Sequence, residues 1–305
     1  MKPWLICLIA LLALAGCSAP HLPTATAPLD TGVDPEGWAL VPAGPFLYGQ
    51  HEKETDVPYD YEMMVTHVTN AQFATYLNRA LDQGDLKIEE DQVTGYYPGD
   101  PFSGKKHEEP VHAGSWPHYP INARGSRIVS IEGEFQAAPG FENHPVVMVT
   151  WFGAKAYCEA QGGRLPSEVE WEKAARGADD NRAYPWGNTL ERNQANYYSS
   201  HDIFEKVLGK AGDTTPVGFY NGKTYAGYAT RDGASPYGLY DMAGNAWQWT
   251  GDIVTGIHYR YLRGGSKADY GYNLRIWTRN NVRPDYEGPS IGFRCVRHTG
   301  MEAAK

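Results

Sequence analysis

The feature that most constrains this chain is where its four cysteines fall, at positions 7, 17, 158 and 295 of 305 residues. Cys7 sits inside an almost unbroken apolar run over residues 4–15, preceded by a single positive charge at Lys2. A run of about a dozen residues is too short to span a bilayer as a helix, which needs roughly 20. Its length and its charged start read as the hydrophobic segment of an export signal. Everything after residue 16 is then expected to fold outside the cytoplasm, where thiols oxidise.

The run ends in Leu14-Ala15-Gly16-Cys17, which resembles the site cut by the bacterial lipoprotein signal peptidase. Small residues before a cysteine permit cleavage, and the thiol takes a diacylglycerol. Residues 1–16 are expected to be removed and Cys17 to carry the lipid. Two or three acyl chains, at about 0.8 kcal/mol per buried methylene, make a stable membrane anchor. Ser18 after the cysteine, in place of Asp, points to the outer membrane in a cell with two membranes. Residues 17–35, rich in Ala, Pro and Thr, read as a flexible tether.

The whole chain carries a net charge of −9, which becomes −10 when Lys2 leaves with the signal. An acidic surface argues against nucleic acid and against charge-driven binding to anionic lipid. With Cys7 removed and Cys17 acylated, Cys158 and Cys295 are the remaining thiols, and a disulfide between them is expected. A reactive pair is the alternative. A bridge between the middle and the end of the chain favours one domain over two.

Hydrophobic spacing marks three helices. Residues 70–82 place Phe73, Tyr76, Leu77 and Ala80 on one face. Thr150 can cap a helix over 151–160, which stops at Gly162-Gly163. Ser167-Glu168-Val169-Glu170 is a capping box after Pro166, opening a helix that ends near Gly177. Short strands are expected at 40–41, 46–48, 146–149, 246–250, 261–263 and 293–297, and residues 84–140 read as a long polar excursion. Two or three helices among short strands make an α+β domain. His107-Glu108-Glu109-Pro110-Val111-His112 fails as a metalloprotease motif, because its histidines are five apart and Pro110 opposes a helix. His107, His112 and His118 read as solvated loop residues rather than a metal trio.

Several linked motifs in the second half share one order. They are Gly163-Arg164-Leu165-Pro166-Ser167-Glu168-Val169-Glu170-Trp171-Glu172, then Tyr237-Gly238-Leu239-Tyr240-Asp241-Met242-Ala243-Gly244-Asn245-Ala246-Trp247, Arg263-Gly264-Gly265-Ser266, and Ile291-Gly292-Phe293-Arg294-Cys295. Val41-Pro42-Ala43-Gly44-Pro45-Phe46 and Val68-Thr69-Asn70 agree more loosely in the first half. Together, over roughly residues 36–298, they resemble the formylglycine-generating enzyme (sulfatase-modifying factor) family. The resemblance implies a single α+β domain over residues 36–300, related to C-type lectins and poor in regular structure. It also places Cys158 and Cys295 where family members form a disulfide.

In that family two cysteines after the Gly-Gly-Ser motif bind Cu(I), a soft ion that thiolates suit. Here those positions fall at Asp269 and Leu274, so copper chemistry is not expected. Ser266 matches a family serine beside the active centre, and Trp247 an aromatic lining the substrate groove. Around them Asp269, Tyr270, Tyr272, Asn273, Arg275, Trp277 and Arg279 form an aromatic and polar set suited to a ligand or peptide. Arg275 and Arg279 could instead pair with local carboxylates. The family also implies a structural Ca²⁺ held by the side chains of Asp241 and Gln248 and the carbonyls of Gly244 and Ala246, with a second site involving Asn196.

Two functions follow. The first is a binding or scaffold module on the cell envelope, taking a protein or glycan partner. The second is a periplasmic oxidoreductase of the PvdO-like type, with Ser266 and Asp269 at its centre and metal ligands other than cysteine. Formylglycine formation on sulfatases is a distant third.

Overall fold

The computed structural model describes residues 27–178, 181–204 and 213–299. The expected export signal and Cys17 lie outside the described residues. Three helices appear where capping and periodicity place them. Helix α1 (Asn70–Gln83) opens with a reciprocal box between Thr69 and Gln72 and ends at Gly84 in the left-handed region, φ 79°. Its buried face carries Phe73, Tyr76, Leu77 and Ala80. Helix α2 (Trp151–Ala160) is capped by the Thr150 hydroxyl, which accepts from Gly153 N. Helix α3 (Glu168–Arg176) has the box between Ser167 and Glu170.

Strands form small sheets rather than one large one. β12 (Trp247–Ile253), β13 (Arg260–Arg263), β14 (Arg279–Val282) and β15 (Ile291–Gly292) make a four-stranded sheet in the order β14-β13-β12-β15. β1 (Trp38–Val41) and β16 (Val296–His298) flank β4 (Tyr61–Met64). The main core gathers Phe73, Tyr119, Phe152, Tyr157, Trp249 and Phe293, and a second cluster collects Tyr61, Trp171, Met242 and Ile276. Cys158 and Cys295 are bridged inside the main core, with Cα atoms 5.4 Å apart. The arrangement is α+β, as the patterning predicts.

Three expectations require correction. Residues 84–140 are not one excursion: they hold β5 (Leu86–Glu89), β6 (Gln92–Tyr97), β7 (Gly114–Pro120), β8 (Ile128–Ile131) and β9 (Glu134–Ala137). Charged turns, with Glu90 and Glu132 both at φ 54°, and two prolines in β7 hide the pattern. β7 tolerates those prolines because it lies at a sheet edge. Residues 146–149 are buried but form no strand, and Met148 there takes φ 66°. The tether ends before residue 35. Thr31 is buried, its hydroxyl donates to Val217 O at 2.9 Å, and its carbonyl accepts from Asn221 Nδ2 and Lys223 Nζ at 3.0 and 2.8 Å. Composition alone cannot reveal that the domain holds this stretch through its backbone.

Helix α3 carries an unusual load of buried charge. Glu172 accepts from Gly49 N (2.5 Å) and Arg176 Nη2 (2.8 Å) and pairs with Arg263 Nη2. Glu168 lies 3.4 Å from Arg263 Nε and 3.1 Å from Arg279 Nη1. Charges this deep persist because they are paired and hydrogen-bonded. This network positions the end of β13, from which the Gly-Gly-Ser segment leaves.

Candidate binding site at the Gly-Gly-Ser segment

Gly264 and Gly265 carry the chain away from β13 with φ of 94° and 71°. A Cβ on Gly265 would stand 2.8 Å from Leu274 Cδ1 and 3.0 Å from Asn273 O, so no other residue fits that turn without displacement. Ser266, buried at the turn, donates from Oγ to Asp269 Oδ2 at 2.5 Å, and its backbone N–H reaches the same oxygen at 3.0 Å. Asn273 Nδ2 donates to Asp269 Oδ1 at 3.0 Å. Both carboxylate oxygens of Asp269 are thus engaged within the segment. Leu274, at the end of a 3₁₀ turn (Gly271–Leu274), is fully buried with Tyr184, Ala195, Tyr197 and Ala243.

Above this closed floor the surface is aromatic. Tyr270 and Tyr272 are 55% and 60% exposed, and their rings lie 6.3 Å apart at 15°. Tyr198, 49% exposed, packs 5.1 Å from Tyr270, and its N–H donates to Asp269 O at 3.0 Å. Tyr198 escaped the sequence reading because it lies 72 positions before Tyr270, with no motif linking the two.

The structure therefore brings together Ser266, Asp269, Tyr270, Tyr272 and Asn273. Arg275 and Arg176 flank Trp277, with guanidinium carbons 5.9 and 5.6 Å from its ring. Arg279 pairs with Glu168, the local-carboxylate alternative. Trp277 and Arg279 line a cavity of about 380 Å³ with Tyr48 and Glu172. Trp247 is 6% exposed and packs in the main core, its backbone N–H donating to Ser290 O at 2.8 Å, so it contributes no surface to the tyrosine cluster.

The loop expected to hold calcium is organised around a side chain instead. Arg294 is fully buried. It donates from Nε to Gln248 Oε1 (2.7 Å), from Nη2 to Tyr240 O (2.7 Å), and from Nη1 to Met64 O and Val65 O (3.0 and 3.1 Å). Trp171 Nε1 donates to the same Gln248 oxygen at 2.8 Å, and His67 Nε2 lies 3.0 Å from Ala246 O. Asp241 Oδ2 accepts from Gly218 N at 2.7 Å. Ca²⁺ takes six to eight oxygens, and here three of the four proposed ligands, Asp241, Ala246 and Gln248, already accept hydrogen bonds beside a guanidinium. The residues do not fit the ion. Burial lowers Arg294 to about 9, against the Asp241 charge, and burial raises Asp241 to about 6 against the Gly218 N–H and Arg294. Asn196 spends its amide nitrogen on Asp213 O (2.8 Å) and Asn245 Oδ1 (3.3 Å). Among the described residues no three His, Cys, Asp or Glu side chains converge to hold a metal. His107 and His112 are exposed and His118 is buried, so the three do not share one environment.

Residues 25–299 match the model of the sulfatase-modifying factor enzyme 1-like domain. The chain belongs to the sulfatase-modifying factor family. It is 30% identical over 293 residues to the formylglycine-generating enzyme of Mus musculus, covering 84% of this chain and 73% of that one. It is 37% identical over 163 residues to the inactive C-alpha-formylglycine-generating enzyme 2 of the same species, about half of each chain. A serine/threonine-protein kinase pkn1 of Chlamydia caviae is 30% identical over 284 residues, which span 85% of this chain but 37% of the kinase. The chain thus spans about a third of the length of such kinase relatives. Two solved structures share the fold: PvdO from Pseudomonas aeruginosa (TM-score 0.52, 20% identity, 86% of this chain and 94% of that one) and CarF (TM-score 0.52, 21%, 86% and 98%).

Proposed function

We propose that this sulfatase-modifying factor domain is an envelope module, lipid-anchored through Cys17, that binds a protein partner on the surface formed by Tyr198, Tyr270 and Tyr272. One observation carries the reading. Where the family resemblance puts a copper-binding cysteine pair, Asp269 is closed on Ser266 and Asn273, and Leu274 is sealed into an apolar cluster. Neither group can supply a thiolate to Cu(I), and Cys158 and Cys295 are spent on their bridge. What the segment offers outward is tyrosine with Arg275 and Trp277 beside it, the residue types that dominate protein interfaces.

The test is site-specific photo-crosslinking in the producing cell. A crosslinker at Tyr272 is expected to give a discrete adduct, and one at Tyr96, exposed on β6, to give none. Saturable binding of the purified domain to glycans, lost in Tyr270→Ala, would replace the protein partner with a sugar. The PvdO-like alternative requires a redox metal at the segment. Stoichiometric iron or copper that disappears in Asp269→Ala would restore it. For the anchor, Cys17→Ala is expected to abolish incorporation of a labelled fatty acid and release the protein from membranes. Unchanged labelling would remove the lipid from the proposal.

A further inference from the structure

At the corner where the loop over residues 98–113 meets the start of β13, a buried pair lies outside the tyrosine surface. His258 Nδ1 stands 2.6 Å from Asp100 Oδ2, across 158 positions of sequence. Asp100 Oδ1 accepts from Arg260 Nη2 at 2.5 Å and from the Tyr97 hydroxyl at 2.8 Å. All three side chains of the Asp100, His258 and Arg260 cluster are at least nine-tenths buried, and the imidazole stacks on Phe102 with ring centres 4.6 Å apart. Asp100 accepts from Nδ1, and in the neutral ring this tautomer leaves the lone pair on Nε2. Holding the loop requires only Nδ1. Nε2 is buried and has no hydrogen-bond partner, an unmet acceptor in a structure that satisfies most others.

The space beside this nitrogen is shaped for a small molecule. His258 forms part of the wall of a cleft of about 270 Å³, together with Trp116, Glu108, Glu109, Arg283 and Asp285. Arg283 is held by Asp285 at 2.8 Å, and Asp100 is neutralised by Arg260, which leaves Glu108 and Glu109 as the net charge of the cleft. Gly104 covers the ring with φ +74°. A Cβ there would stand 2.7 Å from Nε2 and 3.1 Å from Glu108 Oε2, which itself accepts from His258 N at 3.2 Å, so only glycine leaves room between the two groups. An anion would meet two carboxylates and a lone pair. An ammonium group would meet two acceptors and, for its hydrocarbon part, the Trp116 ring.

We infer that this cleft is a binding site for a small primary ammonium compound, its N–H groups donating to His258 Nε2 and Glu108 and its apolar part lying against Trp116. The full chain, labelled with ¹⁵N in histidine, is titrated with benzylamine and, in parallel, with benzoate. Benzylamine is expected to shift the His258 ring resonances saturably, and benzoate to leave them unmoved. Glu108→Gln, at the half-exposed rim, is expected to weaken benzylamine about tenfold, the scale of one charge-assisted hydrogen bond. Gly104→Ala is expected to abolish binding by filling the gap, with circular dichroism confirming that the variant is folded. The inference is overturned if benzylamine leaves the His258 resonances unmoved, if benzoate binds as tightly, or if both folded variants bind benzylamine like the parent.

Discussion

Asp269 and Asp100 are two loop carboxylates held by several donors each, and they are put to different uses. Asp269 closes its own segment: its partners Ser266 and Asn273 lie within four positions of it, and nothing beyond the segment depends on it through those bonds. Asp100 reaches across the fold to Arg260 and His258, and in doing so orients a ring whose second nitrogen is left over. A carboxylate satisfied locally shapes a turn, whereas one that anchors a second polar group leaves that group's chemistry available. In this molecule the segment that the family resemblance marks as catalytic is of the first kind. The corner of the second kind lies where no motif points.

The contrast breaks most visibly by removing the two carboxylates in turn. Asp100→Ala leaves the fully buried Arg260 guanidinium without its anion, and breaking a buried pair costs about 3–5 kcal/mol. Asp269→Ala removes only hydrogen bonds within the segment but leaves the buried Ser266 hydroxyl without its acceptor, and is expected to cost about 1–3 kcal/mol. Denaturant titration of both variants at neutral pH measures the difference, and equal losses would end the comparison. Burial pushes the Asp100 carboxyl up, but the bonds from Arg260, His258 and Tyr97 outweigh it and hold it below the usual range. Its contribution is therefore complete above the ordinary carboxylate pKa near 4 and is lost as pH falls through the lower folded value.

A second variant tests Leu274, the other position that the family resemblance matches to a cysteine. Leu274 is fully buried beside Tyr184, Tyr197 and Ala243, so Leu274→Ala is expected to destabilise by roughly 2–4 kcal/mol through lost burial and a cavity. A loss below about 0.5 kcal/mol would mean that the site is slack enough to open around a ligand. Either result is read from the midpoint of unfolding in urea.

Local sequence carried part of this picture and distance hid the rest. The caps of α2 and α3 were legible because a cap is a contact over three positions, as in Thr150 with Gly153 or Ser167 with Glu170, and α1 was legible from the spacing of Phe73, Tyr76, Leu77 and Ala80. The bridge between Cys158 and Cys295 was legible by counting thiols. The hairpins of residues 86–137 were not, since prolines and charged turn residues interrupt the alternation that would announce them. The pair of Asp100 with His258, and the seat of Tyr198 beside Tyr270, depend on how loops are laid over the sheets, and no local pattern encodes that. The same holds for Arg294: its motif was visible, but its partners at Met64, Tyr240 and Gln248 were not.

A smaller effect is expected on mild acidification. Burial raises the Asp241 carboxyl to about 6 in the folded chain, against an ordinary value near 4. Between those values the folded state binds a proton that the unfolded state does not, so this group adds stability as pH falls from 7 toward 5. Relative to the parent, Asp241→Asn is expected to be more stable at pH 7, to keep roughly half of that advantage at pH 5 and to lose it toward about pH 4, as measured by unfolding midpoints across the range. A difference that grows on acidification would reverse the sign and show that Asp241 is stabilised as a carboxylate.

The smallest expected effect is also the one that decides how the Asp241 loop is held. A calcium ion bound only by the folded chain would add RT ln(1 + [L]/Kd), and removing it would lower the melting temperature by several degrees for a domain of this size. In the loop seen here, Arg294 already donates to Gln248 and Tyr240, and its charge lies close enough to Asp241 to act on its carboxyl. A divalent cation would have to displace those bonds and sit beside a guanidinium that has nowhere else to go. EDTA is accordingly expected to leave the melting temperature unchanged within about 1 °C. Arg294→Met should instead take a donor from the Gln248 oxygen and from the Tyr240 and Met64 carbonyls, and lower stability whether or not calcium is present. If calcium rescues that variant, the guanidinium and the metal are interchangeable cations for one set of oxygens, and the loop has exchanged a bound ion for a covalently attached one.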